Sequence, residues 1–293
     1  NFKILEHIIN NDKYKNRRLH PNEQSFLIYV INKCIKSCFS FSKKEAEKIN
    51  HNYFEAFKKL SFPVIGVDEA SDFHIIDLIA IHSLSDLDVS SVSYSGDIMQ
   101  RLTEGGIRKW KDLKTFIKAF EEKTLHISYR QSPTLLEIAG KINKYATGEE
   151  AEYMSNMEKN NNEPKPLLYE NNNELEKIYW ISERIIEIYN AYDRSIPSIA
   201  IFLENESEIS EFADKLGELD ELADIGISVK ACNNGEVLGD RNTVRVFSIK
   251  YIKGMEFEAA IIHNIHKIKE HHSKQEMIMK SFYVALSRAS FYL

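Results

Sequence analysis

Two acidic residues, Asp68 and Glu69, stand directly after the apolar stretch VIGV. At the exposed tip of a buried strand such a pair suits phosphoryl transfer, because one carboxylate holds Mg²⁺, directly or through water, and the next orients and deprotonates the attacking water. Acids are also common in the first turn of a helix, where they interact favourably with the helix dipole. The pair therefore predicts either a magnesium-dependent site or a helix N-terminus.

A second polar group follows a later apolar stretch, VSYS. Gly96 lets the chain turn sharply, and the Asp97 carboxylate can accept hydrogen bonds from a neighbouring loop. Gln100 offers both a donor and an acceptor, which suits the sensing of a terminal phosphate. The alternative is a surface turn in which Asp97 serves only as an N-cap.

Three later segments place cations and a glycine beside apolar stretches. In LHISYRQSP, Arg130 suits an arginine finger and Tyr129 a stacking platform, although both also suit an interface. In KYIKGMEFEAAII, Gly254 permits close backbone approach to a ligand, and the Glu256 carboxylate can accept hydrogen bonds from ribose hydroxyls. In SFYVALSRAS, Arg288 lies on an apolar helix face, where a charge is normally paired or bound to phosphate because an unpaired buried charge is expensive.

Short apolar stretches alternate with amphipathic ones from Phe62 onward, which is typical of a parallel α/β sheet. Residues 1–60 are predicted to be helical, 61–147 to form one α/β lobe, 148–165 a polar linker and 166–293 a second lobe. Within the lobes, IRKWKDLKTFIKAF predicts an amphipathic helix and PLLYE a strand. We expect any shared ligand in a crevice at the carboxyl ends of the strands.

The composition excludes several classes of protein. Hydrophobic residues make up 43% and charged residues 28% of the 293 positions, as in ordinary globular proteins. No apolar run approaches the ~20 residues that cross a bilayer, and the start lacks the pattern of a signal peptide, so a cytoplasmic protein without a membrane partner is expected. The net charge of −6 disfavours a globally basic coating protein. Any nucleic acid is therefore expected in a local groove.

The cysteines and the later histidines give no metal or disulfide pattern. There are three cysteines and no C-x-x-C pair, which argues against a disulfide framework and a zinc site. Cys34 and Cys38 are four apart in an apolar stretch and are expected on one buried helix face. Four histidines without ligand spacing are expected to lie in solvent: His263, His266, His271 and His272.

The order of the chemistry-bearing segments is more specific than any one of them. The acid pair, Gly-Asp-x-x-Gln, Tyr-Arg, Lys-Gly-x-Glu-Phe and Ala-Leu-Ser-Arg-Ala resemble helicase motifs II to VI of the UvrD/Rep group of superfamily 1, over residues 62–293. The stretch GDIMQRLTEGGIRKWKDL is more similar to the helicase IV and RNA-polymerase-recycling branch. The resemblance implies two RecA-like lobes in an ATP-dependent DNA helicase or translocase.

The resemblance also implies ATP and Mg²⁺ as cofactors and single-stranded DNA, with RNA as the alternative, as the track. In the first lobe it implies that Asp68 holds Mg²⁺, that Glu69 is the catalytic base and that Gln100 senses the γ-phosphate. Closure of the two lobes on ATP would then open and close a single-strand groove.

For the later motifs the resemblance implies contacts to the nucleotide. Arg130 and Arg288 would contact the γ-phosphate, and Tyr129 would stack near the adenine. Gly254 and Glu256 would contact phosphate and ribose.

The chain departs from the family pattern in three places. Ser71 stands where the acid box usually has Gln, and Ser287 where the last motif usually has Thr. The phosphate loop G-x-x-x-x-G-K-[ST] is absent, since the only Gly-Lys pair, Gly140-Lys141, lacks its context. We therefore expect an incomplete first lobe, a phosphate loop upstream of Asn1 and an inactive fragment. The alternative is an ATPase-inactive scaffold that binds a protein partner such as RNA polymerase or a nuclease.

Overall fold

The computed structural model describes residues 19–103, 105–118, 120–148, 154–158, 164–268 and 275–292. The chain divides into two compact units, Asn1–Glu122 and Lys123–Leu293. In the described residues both units combine helices with parallel strands, which confirms the predicted α/β class with parallel sheets. The division falls before the predicted linker 148–165, part of which lies outside the described residues. The four domain ranges drawn from the sequence stay predictions.

The described part of the first unit begins with three helices, α1 (Pro21–Phe41), α2 (Lys43–Ala46) and α3 (Asn52–Leu60). A capping box starts α1, because the Glu23 carboxylate accepts a hydrogen bond from the His20 backbone N–H at 2.8 Å. Proline at the first helical position adds to this start, since its missing N–H has no helical partner to lose.

Cys34 and Cys38 are exposed on α1, so the predicted buried face is wrong for them. The buried residues of α1 are Asn32, Ile35 and Phe39. Successive residues of a helix are rotated by about 100° from each other, so each cysteine, one position before a buried residue, turns to another face.

The first unit contains one parallel strand pair in its described residues, β1 (Val64–Val67) and β2 (Ser91–Tyr94), connected through α4 (Ile75–Ser83). Both strands coincide with predicted apolar stretches. The register pairs Val67 with Tyr94. The residues that follow these two strands therefore emerge side by side at one edge.

The predicted helix in IRKWKDLKTFIKAF is wrong, because the segment forms a 3₁₀ turn at Trp110–Thr115. No side chain caps the start of this turn, and the cations that open the segment oppose a helix dipole. Some of its apolar side chains nevertheless face inward, with Leu113 fully buried and Trp110 packed against the same core as Leu78.

The second unit contains a short separate pair, β3 (Ile127–Ser128) and β4 (Met154–Ser155), and a five-stranded parallel sheet. The strands of that sheet are β5 (Ile199–Leu203), β6 (Ser228–Ala231), β7 (Thr243–Ser248), β8 (Phe257–Ile262) and β9 (Ala289–Tyr292). They lie in the order β6-β7-β5-β8-β9. The helices are α5 (Pro133–Thr147), α6 (Glu174–Ala191), α7 (Ile209–Gly217), α8 (Asp220–Ala223) and α9 (Gln275–Ser287).

The central strand β5 is buried along its whole length, as expected for a parallel strand covered on both faces. Ile181 and Ile185 of α6 pack against Ile199 and Ile201 of β5 in one core cluster. Across the described residues of both units, no helix is long and apolar enough to cross a membrane.

Two sequence predictions in the second unit are wrong. The stretch PLLYE forms no strand, and the Tyr169 ring instead stacks on Trp180 of α6 with centroids 4.9 Å apart. His263, expected in solvent, is buried, with its Nε2 2.6 Å from the Glu174 carboxylate. His266 is exposed as predicted. The other two histidines of that group, His271 and His272, lie outside the described residues.

Candidate functional site

The first candidate group, called the acid cluster, comprises Asp68, Glu69, Ser95, Asp97 and Gln100. Asp68 directly follows β1 and Ser95 directly follows β2. Ser95 Oγ donates a hydrogen bond to Asp68 Oδ1 at 2.7 Å, and the Glu69 N–H donates to the same oxygen at 2.9 Å. The Asp68 carboxylate is thus oriented at the exposed carboxyl edge of the strand pair.

Glu69 adopts a left-handed backbone conformation, with φ of 51°. This conformation is uncommon for a non-glycine residue and costs on the order of 1 kcal/mol. The following N–H, of Ala70, donates to the Ser95 carbonyl at 2.8 Å and joins the ends of β1 and β2. A 3₁₀ turn, Ala70–Asp72, starts here. The half-buried Glu69 side chain therefore leaves the strand end at a sharp corner.

Asp97 and Gln100 are coupled within one short turn. Asp97 Oδ1 accepts from the Met99 N–H at 2.8 Å, and Gln100 Nε2 donates to Asp97 Oδ2 at 3.3 Å. The N-cap alternative for Asp97 is thus realised. This cap also holds the Gln100 amide, the predicted phosphate sensor, against an acidic neighbour.

Gly96 lies against the backbone of the acid box. A Cβ on Gly96 would meet Ser71 N at 3.1 Å and Ala70 N at 3.2 Å. Ser71 itself is fully buried, and its Oγ has no hydrogen-bond partner among the described residues. Ser71, which stands where the family pattern has Gln, is therefore enclosed beneath the acid cluster and does not reach the surface of the protein.

The second candidate group, called the arginine cluster, comprises Arg130, Gly254, Met255, Glu256 and Arg288. Arg130 follows β3 and forms an ion pair with Glu256, which precedes β8. Their side chains are 41% and 53% exposed. The predicted arginine finger and the predicted ribose ligand are therefore partners of each other in this state.

Arg288 is almost fully buried, at 2% exposure. Its Nη1 donates to the Met255 carbonyl at 3.1 Å, and its Nη2 donates to Ser287 Oγ at 3.0 Å. Ser287 keeps the hydroxyl of the expected Thr, so this departure preserves the contact. The guanidinium thus ties the end of α9 to the loop that carries Gly254 and Glu256.

Gly254 has a φ of 81°, and a Cβ built on it meets nothing within 4 Å. The glycine is required by its left-handed backbone and leaves open space beside the loop. Tyr129, the predicted adenine platform, is 72% exposed.

Two members of the arginine cluster lie at the amino ends of strands, because Glu256 precedes β8 and Arg288 precedes β9, whereas Arg130 follows β3. The sequence predicted any shared ligand at the carboxyl ends of the strands, and that location stays a prediction. The position of Arg288 follows from the end of α9: carbonyls at a helix C-terminus attract a cation, and Arg288 follows the last helical residue and donates from Nε to the Val284 carbonyl at 3.3 Å.

The structure assembles the predicted residues within each unit. The first unit brings Asp68, Glu69 and Gln100 to one region. The second brings together Arg130, Gly254, Glu256 and Arg288, with Tyr129 adjacent to Arg130 in the chain. Participation of both groups in one nucleotide site stays a prediction. Among the described residues, no set of three or more His, Cys, Asp and Glu is arranged to hold a metal ion, so Mg²⁺ at Asp68 also stays a prediction.

Ser95 is a cluster residue that the sequence analysis did not single out. The signal was its position directly after the stretch VSY, at the strand end next to the one that bears Asp68. Adjacent parallel strands place such residues at one edge. The pairing of these two strands was needed to show it.

No family model and no curated protein matches this chain. Among solved structures, the C-terminal domain of a possible DNA helicase from Lactobacillus plantarum WCFS1 is similar over 57% of this chain and 84% of that chain. The sequence identity is 19% and the TM-score is 0.38. At this TM-score we draw no functional conclusion from the similarity.

Proposed function

We propose that this chain is the motor portion of an ATP-dependent DNA helicase or translocase of the UvrD/Rep type. In this proposal both units contribute to one ATP site, and hydrolysis is coupled to movement on single-stranded DNA. Asp68 holds Mg²⁺ and Glu69 activates the attacking water, while Arg130 and Arg288 neutralise the developing phosphate charge.

The assembly of the arginine cluster carries this proposal. Arg130, the loop around Gly254 and Arg288 are far apart in the chain, yet they converge through the Arg130–Glu256 pair and the Arg288–Met255 contact. A half-exposed Arg130 can exchange its carboxylate partner for a phosphate, because both ligands offer the same bidentate geometry. Arg288 keeps the loop in place during that exchange.

The acid cluster supplies the acidic groups that the same chemistry requires. Two hydrogen bonds to Asp68 Oδ1 fix the orientation of that carboxylate, and carboxylate oxygens are ligands that Mg²⁺ prefers. Glu69 leaves the strand end at the adjacent corner, where it can accept a proton from water. In this proposal Gln100 contacts the terminal phosphate, and its hydrogen bond to Asp97 couples that contact to the turn that begins at Asp97.

The proposal is tested by ATP hydrolysis with and without single-stranded DNA, measured on the full product of the gene. Glu69→Gln should retain ATP binding and reduce turnover by at least about 100-fold, because the base acts in the transition state. The exposed acid Glu47, outside both the acid cluster and residues 108–118, gives the matched control Glu47→Gln, which should hydrolyse ATP normally. Unchanged turnover in Glu69→Gln would remove this residue from the site.

One observation favours a second function, an ATPase-inactive scaffold for a protein partner. The sequence G-x-x-x-x-G-K-[ST] does not occur in these 293 residues, and without its Lys and N–H groups the β- and γ-phosphates lack their usual cradle. The 293-residue chain should therefore bind ATP weakly and show no DNA-stimulated hydrolysis. Inactivity of a full gene product that does carry this loop would favour the scaffold, whereas robust hydrolysis by the 293-residue chain would refute the importance of the loop.

A further inference from the structure

The stretch 108–118 of the first unit, called the basic segment, is rich in exposed cations. The whole chain carries a net charge of −6, yet this segment contains a single acid, Asp112. Its exposed cations are Arg108, Lys109, Lys111, Lys114 and Lys118. The segment is therefore a local positive surface on an acidic protein.

The cations of the basic segment have no carboxylate partner among the described residues. Some exposed lysines elsewhere do pair, as in Lys43–Asp88 at 3.0 Å and Lys215–Glu211 at 2.6 Å. In the basic segment, Lys114 lies over the Phe120 ring, with its Nζ 5.7 Å from the centroid. Clustered like charges repel one another. Binding of an external polyanion would relieve the repulsion among the cations of the basic segment.

Buried apolar side chains fix the basic segment to the first unit. Ile107, Leu113 and Ile117 are at most 7% exposed and belong to one core cluster. In a 3₁₀ turn the side chains three apart eclipse each other. Lys111 and Lys114 therefore leave the turn in the same direction, held by anchors on the opposite side.

We propose that the basic segment binds the phosphate backbone of a single-stranded nucleic acid. Lysine and arginine side chains that lack internal partners can neutralise several successive phosphates. Phe116, 47% exposed within the same segment, offers a ring on which a base can stack. This aromatic residue favours a single strand over a duplex, whose bases are stacked on each other, and over an acidic peptide.

The proposal rests on the proposed function only for the choice of nucleic acid as the polyanion. The test measures equilibrium binding of a labelled poly-dT oligonucleotide by fluorescence anisotropy over a series of salt concentrations, without ATP. The protein is the 293-residue chain. In the test variant, glutamine replaces the five cations Arg108, Lys109, Lys111, Lys114 and Lys118.

The matched control removes the same number of charges from exposed lysines that have carboxylate partners. Its substitutions to glutamine are at Lys43, Lys48, Lys58, Lys141 and Lys215. The test variant should lose at least about tenfold in affinity, and its log–log salt slope should fall by about 3.5, because each of the five lost phosphate contacts on a single strand removes about 0.7. The control should stay near the parent protein in both quantities, since its lysines already interact with acids.

Equal losses in the two variants would overturn the proposal, because the effect would then follow net charge alone. A test variant that keeps its DNA affinity but loses binding to polyglutamate would also overturn it and would identify an acidic peptide as the ligand. Phe116→Ala should weaken binding to poly-dT and leave duplex binding unchanged, and the reverse result would contradict a single-strand site.

Failure of this proposal and failure of the motor function are distinguishable. Glu69→Gln should reduce turnover without changing DNA affinity, whereas the five-cation variant should change affinity in the absence of ATP. DNA binding through the basic segment by a gene product with no ATPase would refute only the motor.

Discussion

The acid cluster and the arginine cluster use mainly opposite ends of their strands and opposite degrees of burial. The acid cluster lies at the carboxyl ends of β1 and β2, where the Asp68 side chain is exposed and held by hydrogen bonds from adjacent residues. In the arginine cluster, Glu256 and Arg288 lie at the amino ends of β8 and β9, and the Arg288 guanidinium is buried. Substitutions in the acid cluster should therefore affect activity with little effect on stability. In the arginine cluster, loss of Arg288 should affect both.

This difference has a physical origin. A carboxylate that binds a metal must remain accessible, so its position can be specified by a strand end and a turn. A buried cation has lost its hydration, and carbonyl and hydroxyl oxygens must replace it. Arg288 obtains these from Val284, Ser287 and Met255.

The largest expected effect is that of Arg288→Ala. It should lower the free energy of unfolding of the second unit by about 2–4 kcal/mol, because it leaves a cavity and removes the donor to the Met255 carbonyl. Glu69→Gln should change the stability of the first unit by at most about 0.5 kcal/mol, because the substitution keeps the size of this half-buried side chain and creates no cavity. Urea unfolding distinguishes the units, since Trp110 lies in one and Trp180 in the other.

Single-tryptophan versions, with Trp110→Phe or Trp180→Phe, assign each transition to its unit. Equal stability losses in Arg288→Ala and Glu69→Gln would abolish the contrast between the clusters. Arg288→Lys provides the conservative comparison: it keeps the charge but not the planar fork, and should be intermediate.

The second largest effect is expected at Gly96, which lies against the backbone nitrogens of Ala70 and Ser71. Gly96→Ala should cost about 1–3 kcal/mol, because the new methyl group would meet backbone nitrogens that cannot rotate away. The matched control is Gly66→Ala in β1, where the nearest atom, Ser93 Oγ, is 3.8 Å from the new Cβ. Unfolding followed by Trp110 should show a loss for the first variant only. Unchanged stability of Gly96→Ala would show that the backbone at Gly96 can move away from the turn Ala70–Asp72 at little cost.

The third effect is expected at His263, which directly follows the carboxyl end of β8. Burial lowers the pKa of His263 from its ordinary value of 6.5, and the nearby Glu174 carboxylate only partly opposes this. The neutral ring is therefore favoured in the folded state. Its contribution to stability should be present above pH 6.5 and be lost as pH falls from there toward the lowered pKa.

The expected result is a fall in the free energy of unfolding of the second unit as the pH drops below 6.5. Urea unfolding of the second unit across mildly acidic pH measures it, with His263→Gln as the comparison and His266→Gln, at an exposed histidine, as the control. The His263 variant should show a flatter pH dependence and the His266 variant the parental one. Identical curves for the parent and His263→Gln would remove this histidine as the cause.

The smallest effect is expected for the Arg130–Glu256 pair. Both side chains are more than one-third exposed, so a double-mutant cycle with Arg130→Gln and Glu256→Gln should give a coupling energy of about 0.5 kcal/mol or less. A much larger coupling would mean that this pair stabilises the unit as Arg288 does. The cycle thus tests whether the exposed part of the arginine cluster is reserved for a ligand.

The sequence by itself determined the alternation of strands and helices and most of the candidate residues. The strand β1 coincides with the apolar stretch VIGV, β2 overlaps VSYS, and β8 lies within KYIKGMEFEAAII. Such stretches are recognisable because hydrophobic periodicity and turn residues act over a few neighbouring positions. The acid pair and Arg288 were recognisable for the same reason, since their types and immediate neighbours already limit their chemistry.

Only the tertiary structure decided which of these positions face each other. The helix in SFYVALSRAS was predicted to include Arg288, whereas α9 ends at Ser287 and the chain then forms β9, whose state depends on pairing with β8. The exposure of Cys34 and Cys38 and the burial of His263 depend on which helix face meets a neighbour. The location of Arg288 at an amino end follows from the packing of α9. These outcomes arise from contacts between distant parts of the chain, and the free energy of such contacts is not contained in any local pattern.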